Sequence, residues 1–363
     1  MNTGLLGGIM FVLVFTGMIL VHEIGHFVAA RLMKIEVEEF GIGMPPRMVT
    51  LFTWKGTQFS LNWLPLGGFN RIKGEDDPSI PGGMAAANPW KRLVVLLAGV
   101  TMNLLTAVIA YSVLFSQVGI PDHSAAAVYA VEEGAPAEQA GIRPGDIIRV
   151  AAGEEIGSVD ELIAVTRQNL GQPMEITLER DGVEQTLTVT PRSEWPEGAG
   201  PMGVQLTNPF VEASWFEAIP YSFKVTGMDM GNLLSLPGRL IAGTASPEEA
   251  QIGGPRTIWN LFQAAVASDV QTRQDESGET PPTYYTLSVI IALSVSLGTL
   301  NLLPIPALDG GRILFLLPEL LFRRPLPAKF QAAVNSAAFI LLLVLLIFFY
   351  VKDFINPITF NLP

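Results

Sequence analysis

Residues 1–27 read MNTGLLGGIMFVLVFTGMILVHEIGHF, an apolar run without Asp, Glu, Lys or Arg as far as Val21 that passes directly into His22-Glu23-Ile24-Gly25-His26. About 20 apolar residues in a helix cross a hydrocarbon core about 30 Å thick, so the run predicts a membrane helix. It lacks a basic leading region and a small-residue cleavage site, and is expected to stay rather than be removed as a signal peptide. Its end carries H-E-x-x-H. Two His four residues apart share one helix face, so both imidazoles reach a single zinc, and the Glu beside the first can take a proton from water. An ionisable group inside a membrane helix costs about 2.5–3.5 kcal/mol on insertion scales. Glu23 is therefore expected to face a metal, a cavity or a partner; the plainer alternative has His22 and Glu23 at the membrane boundary, facing water.

Three further runs are long enough to span: Leu93 to Gly119, Thr283 to Leu308 and Phe330 to Val351, all free of Asp, Glu, Lys and Arg. A mean hydropathy of +0.39 over 363 residues, with 15% charged residues, places the whole chain in the membrane class. A formal net charge of -12 gives no basic footprint for nucleic acid. Cysteine is absent, so a metal must be held by His, Asp or Glu.

Loop charges set an expected orientation. Arg31 to Arg92 carries eight Lys and Arg, and Arg312 to Lys329 carries four against Glu319 alone, so both are expected in the cytoplasm. Gly119 to Thr283, with nine basic and twenty-four acidic residues, is expected outside the cell, as are both termini. The location implied is a multi-pass protein of the cell's inner (plasma) membrane, embedded in the lipid bilayer, with His22 and His26 near the cytoplasmic leaflet.

Between the second and third spans lies soluble-domain texture, from Ala125 to Leu206. Ala127 to Val131 and Met174 to Leu178 read as strands, and Asp181-Gly182 as a hairpin turn before Val183 to Val189. Ser158 to Asn169 reads as a helix opened by a capping box, Ser158 with Glu161. Glu133 to Ile142 and Arg143-Pro144-Gly145-Asp146-Ile147-Ile148 resemble the helix and tight turn of bacterial PDZ domains, which bind extended peptides as an added strand. That resemblance implies a groove loop Gly200-Pro201-Met202-Gly203-Val204, with Met202, Gly203 and Val204 receiving a peptide ligand; an ordinary β-rich spacer is the alternative. Phe210 to Ile241 suggests an interfacial helix, and polar Asp269 to Pro282 a flexible connector. The organisation expected is a membrane part over residues 1–121, a PDZ-like domain over 122–207, an interfacial helix and linker over 208–282, and a second membrane part over 283–363. The fold class is a polytopic α-helical membrane protein of four transmembrane helices, with membrane-associated β-hairpin elements and an inserted extracytoplasmic β-rich domain.

A catalytic zinc takes three protein ligands and keeps one position open. His123, the only other His, falls on the opposite membrane face. Asp309, in Asn301-Leu302-Leu303-Pro304-Ile305-Pro306-Ala307-Leu308-Asp309-Gly310-Gly311, closes the third span at the depth of His26 and is the third ligand expected; its other reading is a turn or capping carboxylate.

These residues resemble the site-2 protease family of intramembrane zinc metalloproteases. The resemblance rests on His22-Glu23-x-x-His26, on Asn301-x-x-Pro304-x-Pro306-x-Leu308-Asp309-Gly310 and on the PDZ-like insertion, and so covers nearly the whole chain. It implies Zn2+ on His22, His26 and Asp309, Glu23 as catalytic base, and endopeptidase cleavage of the transmembrane segment of a single-span membrane protein. An anti-sigma factor or a remnant signal peptide is the kind of substrate implied. Ala98-Gly99-Val100-Thr101-Met102-Asn103 resembles the family's Gly-Pro-x-x-Asn stretch, with Val100 in place of proline. Asn103 would then face the metal as a donor to a developing oxyanion, or else serve as an interhelical hydrogen-bonding residue. Phe40 to Pro46 and Leu64-Pro65-Leu66-Gly67-Gly68-Phe69 look like the family's substrate-receiving β elements, with Asn70 at a usually apolar position; otherwise they are loop turns. The loop Ile35 to Lys73, with the β-prone run Phe59 to Leu64, is thus expected to form a membrane-embedded sheet. Leu66, Gly67, Gly68 and Phe69 lie in its substrate-pairing segment, while Asn301, Pro304 and Pro306 flank the substrate from the other side. A metal transporter or a catalytically silent PDZ scaffold would need no Glu beside His22 or no intact ligand set.

Overall fold

In a computed structural model, residues 3–196, 200–246, 253–274 and 283–355 are described, the side chains of residues 3–5 and 66 excepted. The chain opens with α1 (Thr3–Leu32), β1 (Val37–Trp54), β2 (Thr57–Ile72) and α2 (Pro89–Val118). It continues through β3 (Ile120–Pro121), β4 (Ala126–Val131), α3 (Pro136–Gln139), β5 (Ile147–Ala151), β6 (Glu154–Glu155), α4 (Val159–Gln168), β7 (Met174–Arg180), β8 (Val183–Val189), β9 (Val204–Thr207) and β10 (Phe210–Val211). It closes with α5 (Trp215–Ala242), α6 (Pro255–Gln274), α7 (Tyr285–Leu302), α8 (Asp309–Phe322) and α9 (Ala328–Ile355). Two compact units result, Phe115–Ala218 forming one and the rest of the chain the other.

Among the described residues, four helices are long and apolar enough to cross a membrane: Leu6–Leu32, Pro89–Val118, Tyr285–Leu302 and Ala328–Ile355. The third is shorter than the expected Thr283 to Leu308. Leu303 leaves helical geometry at φ -59 and ψ 142, because Pro304 biases the residue before it towards extended backbone. Asp309 therefore does not end a span; it opens the separate helix α8. The connector expected over Asp269 to Pro282 is also corrected. Asp269 to Gln274 belong to α6, while residues 275–282 lie outside the described part.

Helix α6 rests against α1, where Gly8 leaves room for Trp259: a Cβ there would stand 2.7 Å from the indole. Asp269, buried at the far end of α6, accepts from the backbone N–H groups of Tyr285 (2.8 Å) and Thr286 (2.9 Å), which satisfies the open N-terminus of α7. Asp353 of α9 does the same for α6, accepting from Arg256 N (2.8 Å) and Thr257 N (3.0 Å). The interfacial segment is helical as α5, but Phe210–Val211 pairs instead with Ile120–Pro121. Leu233 of α5 packs with Tyr111 and Leu287 on a core of Ala107, Ala110, Ile291 and Val295.

The segment behind His26 is a sheet. Both strands bend back, so that Glu39 to Ile42 face Gln58 to Leu61 on one side and Arg71 to Gly68 on the other. Arg47 to Trp54 pair in turn with Asn62 to Thr57. The β-prone run starting at Phe59 is thus internal, and Gly68 to Ile72 form an outer edge. Glu39 anchors the sheet from within, bound by Arg47 (2.6 Å), Arg71 (3.1 Å) and Ser60 (2.7 Å). Burial opposes its ionisation, but the hydrogen bonds from Arg47 and Ser60 outweigh it and hold the carboxyl below the ordinary carboxylate range.

In the second unit, one sheet of strand order β8-β7-β5-β4-β9, with β6 against β5, covers a core of Ile148, Leu162, Ile176 and Leu178. The Asp181-Gly182 turn takes left-handed φ values of 52° and 77° and joins Arg180 to Val183 in register, as Asp-Gly hairpins do. Ser158 Oγ accepts from Glu161 N (3.2 Å), and the Glu161 carboxylate accepts from Gly157 N (2.7 Å), one residue before the expected partner. Beside β9 and α4 runs a groove of 340 Å³ lined by Ile163, Trp195, Gly200, Pro201, Met202 and Val204 among others. Its floor explains the expected loop: Met202 is buried in the core, Gly203 turns with φ 71°, and Val204 begins the edge strand β9.

Candidate metal centre

Helical periodicity delivers the first two groups. His22 and His26, on one face of α1, are both 8% exposed, and their Nε2 atoms stand 3.1 Å apart. The Asp309 carboxylate closes the triangle, with Oδ2 3.1 Å from His22 Nε2 and 3.2 Å from His26 Nε2. Asp309 Oδ2 is buried and receives no hydrogen bond among the described residues. With the protons of both neutral rings on Nδ1, the two Nε2 atoms and the carboxylate oxygen are three electron-pair donors with no proton between them, which a cation would hold together. Atoms about 2.0–2.1 Å from one tetrahedral zinc lie roughly 3.3 Å from each other, so the donor set and its spacing fit that ion. Among the described residues this is the one His, Cys, Asp and Glu group of such closeness. His123 is elsewhere, 3.1 Å from Asn208 Oδ1.

What lies behind each ring fixes which nitrogen points inward. His26 Nδ1 donates to Val95 O at 2.8 Å, leaving Nε2 free to act as a donor of electrons. The Asn103 amide, 1% exposed, lies 3.1 Å (Nδ2) from His22 Nδ1. A neutral ring that presents Nε2 carries its proton on Nδ1, and the amide turned end for end accepts that proton through Oδ1. Asn103 therefore orients His22. Of the two roles expected for Asn103, this contact is the interhelical hydrogen bond, from α2 to α1.

Space for the rings comes from Gly99: a Cβ there would stand 2.4 Å from His26 Nε2 and 2.8 Å from His22 Cε1. Gly25 lets α1 lie on α2, its missing Cβ 2.4 Å from Ala98 O. Sequence reading placed Gly99 in a motif without seeing this; the signal was a glycine inside a span four residues before a buried Asn.

The Asp309 side is built differently. Loop 303–308 folds over the start of α8 so closely that a Cβ on Gly310 would lie 2.2 Å from Leu303 O, and one on Gly311 2.3 Å from Ile305 O. Ala307 is left-handed at φ 76°, which costs a residue with a Cβ about 1–2 kcal/mol. Pro304 and Pro306 shape this loop. Asn301 donates back to Leu297 O of its own helix at 3.0 Å.

Glu23 is half-buried, close enough to His22, His26 and Asp309 to feel their charges, and its carboxylate has no hydrogen bond among the described residues. Strand β2 ties to α1 at two turns: Asn70 Nδ2 donates to Glu23 O at 2.8 Å, and Thr16 Oγ1, two turns earlier, to Pro65 O at 2.9 Å. Gly68 lies against Leu20, 2.7 Å from its missing Cβ, and Gly67 faces Ile19. Phe69 packs across Gly41, its register partner. The side chain of Leu66 lies outside the described part.

A family model described as Peptidase family M50 matches residues 10–345. A Clostridium perfringens protein named "putative zinc metalloprotease" is 32% identical over 348 residues, covering 95% of this chain and 98% of its own. A Nostoc protein of the same designation is 31% identical over 359 residues, covering 93% and 92%. The metalloprotease MmpA of Caulobacter vibrioides is 30% identical over 362 residues, covering 90% of each.

Proposed function

The chain belongs to peptidase family M50, and from that premise we propose that it is a zinc endopeptidase that cleaves its substrate inside the membrane. The convergence of His22, His26 and Asp309 at 3.1–3.2 Å on an apolar helix carries this reading. These three residues would hold Zn2+. When bound, the ion polarises a peptide carbonyl and makes water acidic enough to attack near neutral pH. Glu23, on the same helix turn and with a carboxylate that has no hydrogen bond among the described residues, takes the proton from the attacking water and returns it to the leaving amine. Asn103 and the Val95 carbonyl keep both rings aimed while this happens.

A helical transmembrane substrate hides its carbonyls in its own hydrogen bonds and must unwind before attack. The free edge of Gly68 to Ile72, tied to Glu23 through Asn70, supplies backbone partners for an extended chain. Asn301, Pro304 and Pro306 border the opposite side of the cleft in this reading. The substrate class is the membrane segment of a single-span protein, such as an anti-sigma factor or a remnant signal peptide. Loop charges support an inner-membrane orientation with the metal near the cytoplasmic leaflet and the second unit outside. There the groove beside β9, with Met202, Gly203 and Val204 at its end, suits a PDZ-like role in which an extended peptide joins the edge and admission of substrate is controlled.

Glu23→Gln separates the base from the ligands. The variant should keep its zinc by elemental analysis and lose about 10²–10⁴-fold in cleavage of a model membrane substrate. Wild-type turnover in that variant would mean that another group handles the proton.

A further inference from the structure

The loop that delivers Asp309 is held by few bonds of its own. Within it, Ile305 N donates to Leu303 O (2.7 Å) and Leu308 N to Ile305 O (3.1 Å). Between these Ala307 sits in a left-handed conformation that an alanine does not choose unaided. Its N–H donates to Asn335 Oδ1 at 3.1 Å, and among the described residues this is the one side-chain hydrogen bond to residues 303–308. Asn335 stands on α9, a helix whose apolar span is otherwise uncovered, with large side chains such as Phe339, Leu341 and Phe348 exposed. Asn335 and Ala307 both border a cavity of 740 Å³ between α8, α9 and residues 75–85, so at Ala307 the loop faces open space beyond this contact.

We propose that Asn335 is a positioning residue for the metal centre: by fixing Ala307 in its left-handed turn it presets the Asp309 carboxylate against His22 and His26, and so makes metal retention depend on the seating of α9. The inference rests on the zinc reading above. The close approach of Leu303 and Ile305 to Gly310 and Gly311 packs the loop on α8, and the tether adds the one side-chain bond that holds the left-handed turn two residues before the carboxylate. Partners behind a ligand set how much of the binding free energy is spent on ordering it.

The test uses the full chain in detergent micelles, with zinc affinity measured by competition against a chromogenic chelator. Asn335→Ala should bind zinc about 10–100-fold more weakly. Asn335→Asp, whose carboxylate still accepts from Ala307 N, should stay near the wild type. Ala307→Gly placed in the Asn335→Ala background should regain part of the loss, because glycine enters the left-handed region freely. A second readout is independent of metal: in zinc-free protein, amides of residues 303–309 should exchange with deuterium faster in Asn335→Ala than in the wild type. Wild-type affinity and exchange in Asn335→Ala would overturn the proposal. Asp309→Ala distinguishes the two levels. If it weakens zinc binding while Asn335→Ala does not, the tether alone is wrong; if Asp309→Ala binds zinc like the wild type, the ligand set falls and the tether with it.

Discussion

His22 and His26 reach the metal centre from the middle of a regular helix, whereas Asp309 reaches it from the mouth of an irregular loop. On the α1 side the spacing of four residues, a backbone carbonyl and a buried amide place the two rings, all of them on helices that would keep their form if the loop were disturbed. On the α8 side a proline-shaped turn, two glycines in backbone contact and one left-handed alanine do the work. The lesson is that a metal site can take its rigidity from one half and its adjustability from the other. Loss on the helical side should therefore be severe and local, and loss on the loop side graded.

The sharpest way to break this contrast is to add one methyl group to each side. Gly99→Ala puts a Cβ where His26 Nε2 now lies, at 2.4 Å, with both helices too regular to yield. Zinc binding should fall by more than the about 100-fold seen when an outer partner is lost, and elemental analysis after dialysis should find little metal. Gly310→Ala meets Leu303 O at 2.2 Å, but the loop can open and leave the two His as a weakened pair, so a smaller loss is expected. If Gly310→Ala proves the more damaging, the loop is the rigid half and the comparison is reversed.

A milder substitution sharpens the α1 side. Asn103→Ala removes the acceptor behind His22 Nδ1 and leaves that ring free to change tautomer, which should weaken zinc binding by about 10–100-fold in chelator competition. Asn103→Asp keeps an acceptor and should restore much of it. Equal loss in both variants would assign Asn103 to helix packing alone.

This asymmetry also decides what the sequence could tell. The gathering of His22, His26 and Asp309 was legible from a helical spacing and from one carboxylate near the end of a later span, although that span ends before Asp309. The sheet behind His26 was legible from its β-prone runs, but its folded-back pairing was not, since that depends on which of several similar runs meet. Asn103 was marked as facing the metal, yet its partner could only be seen once α1 and α2 were side by side. Helix α6 escaped because its polar composition reads as a linker, and the caps that stabilise it and α7 come from Asp353 and Asp269, far from the usual local capping positions. The role of Gly99 escaped because a missing Cβ has meaning only against the atoms that would collide with it.

The smallest expected effect tests whether the α1 ligands depend on this remote frame. Asp353→Ala strips the N-terminus of α6 of the carboxylate that accepts from Arg256 N and Thr257 N, and leaves the buried Thr257 hydroxyl without that acceptor. A lost helix cap costs about 0.5–2 kcal/mol, and the charge of a carboxylate at a helix N-terminus adds about 0.3–1 kcal/mol. Thermal unfolding in micelles should therefore begin a few degrees earlier. Helix α6 touches α1 near Gly7, Gly8 and Phe11, three to four turns before His22, and a helix carries its own period through that distance. Asp353 also lies 18 residues from Asn335 along α9, so the Ala307 tether keeps its place, and zinc affinity should stay at the wild-type value despite the lower stability. A loss of affinity in step with stability would show that the His pair is placed by the packing of α6 on α1, and that the two sides of the metal centre are held in the same way after all.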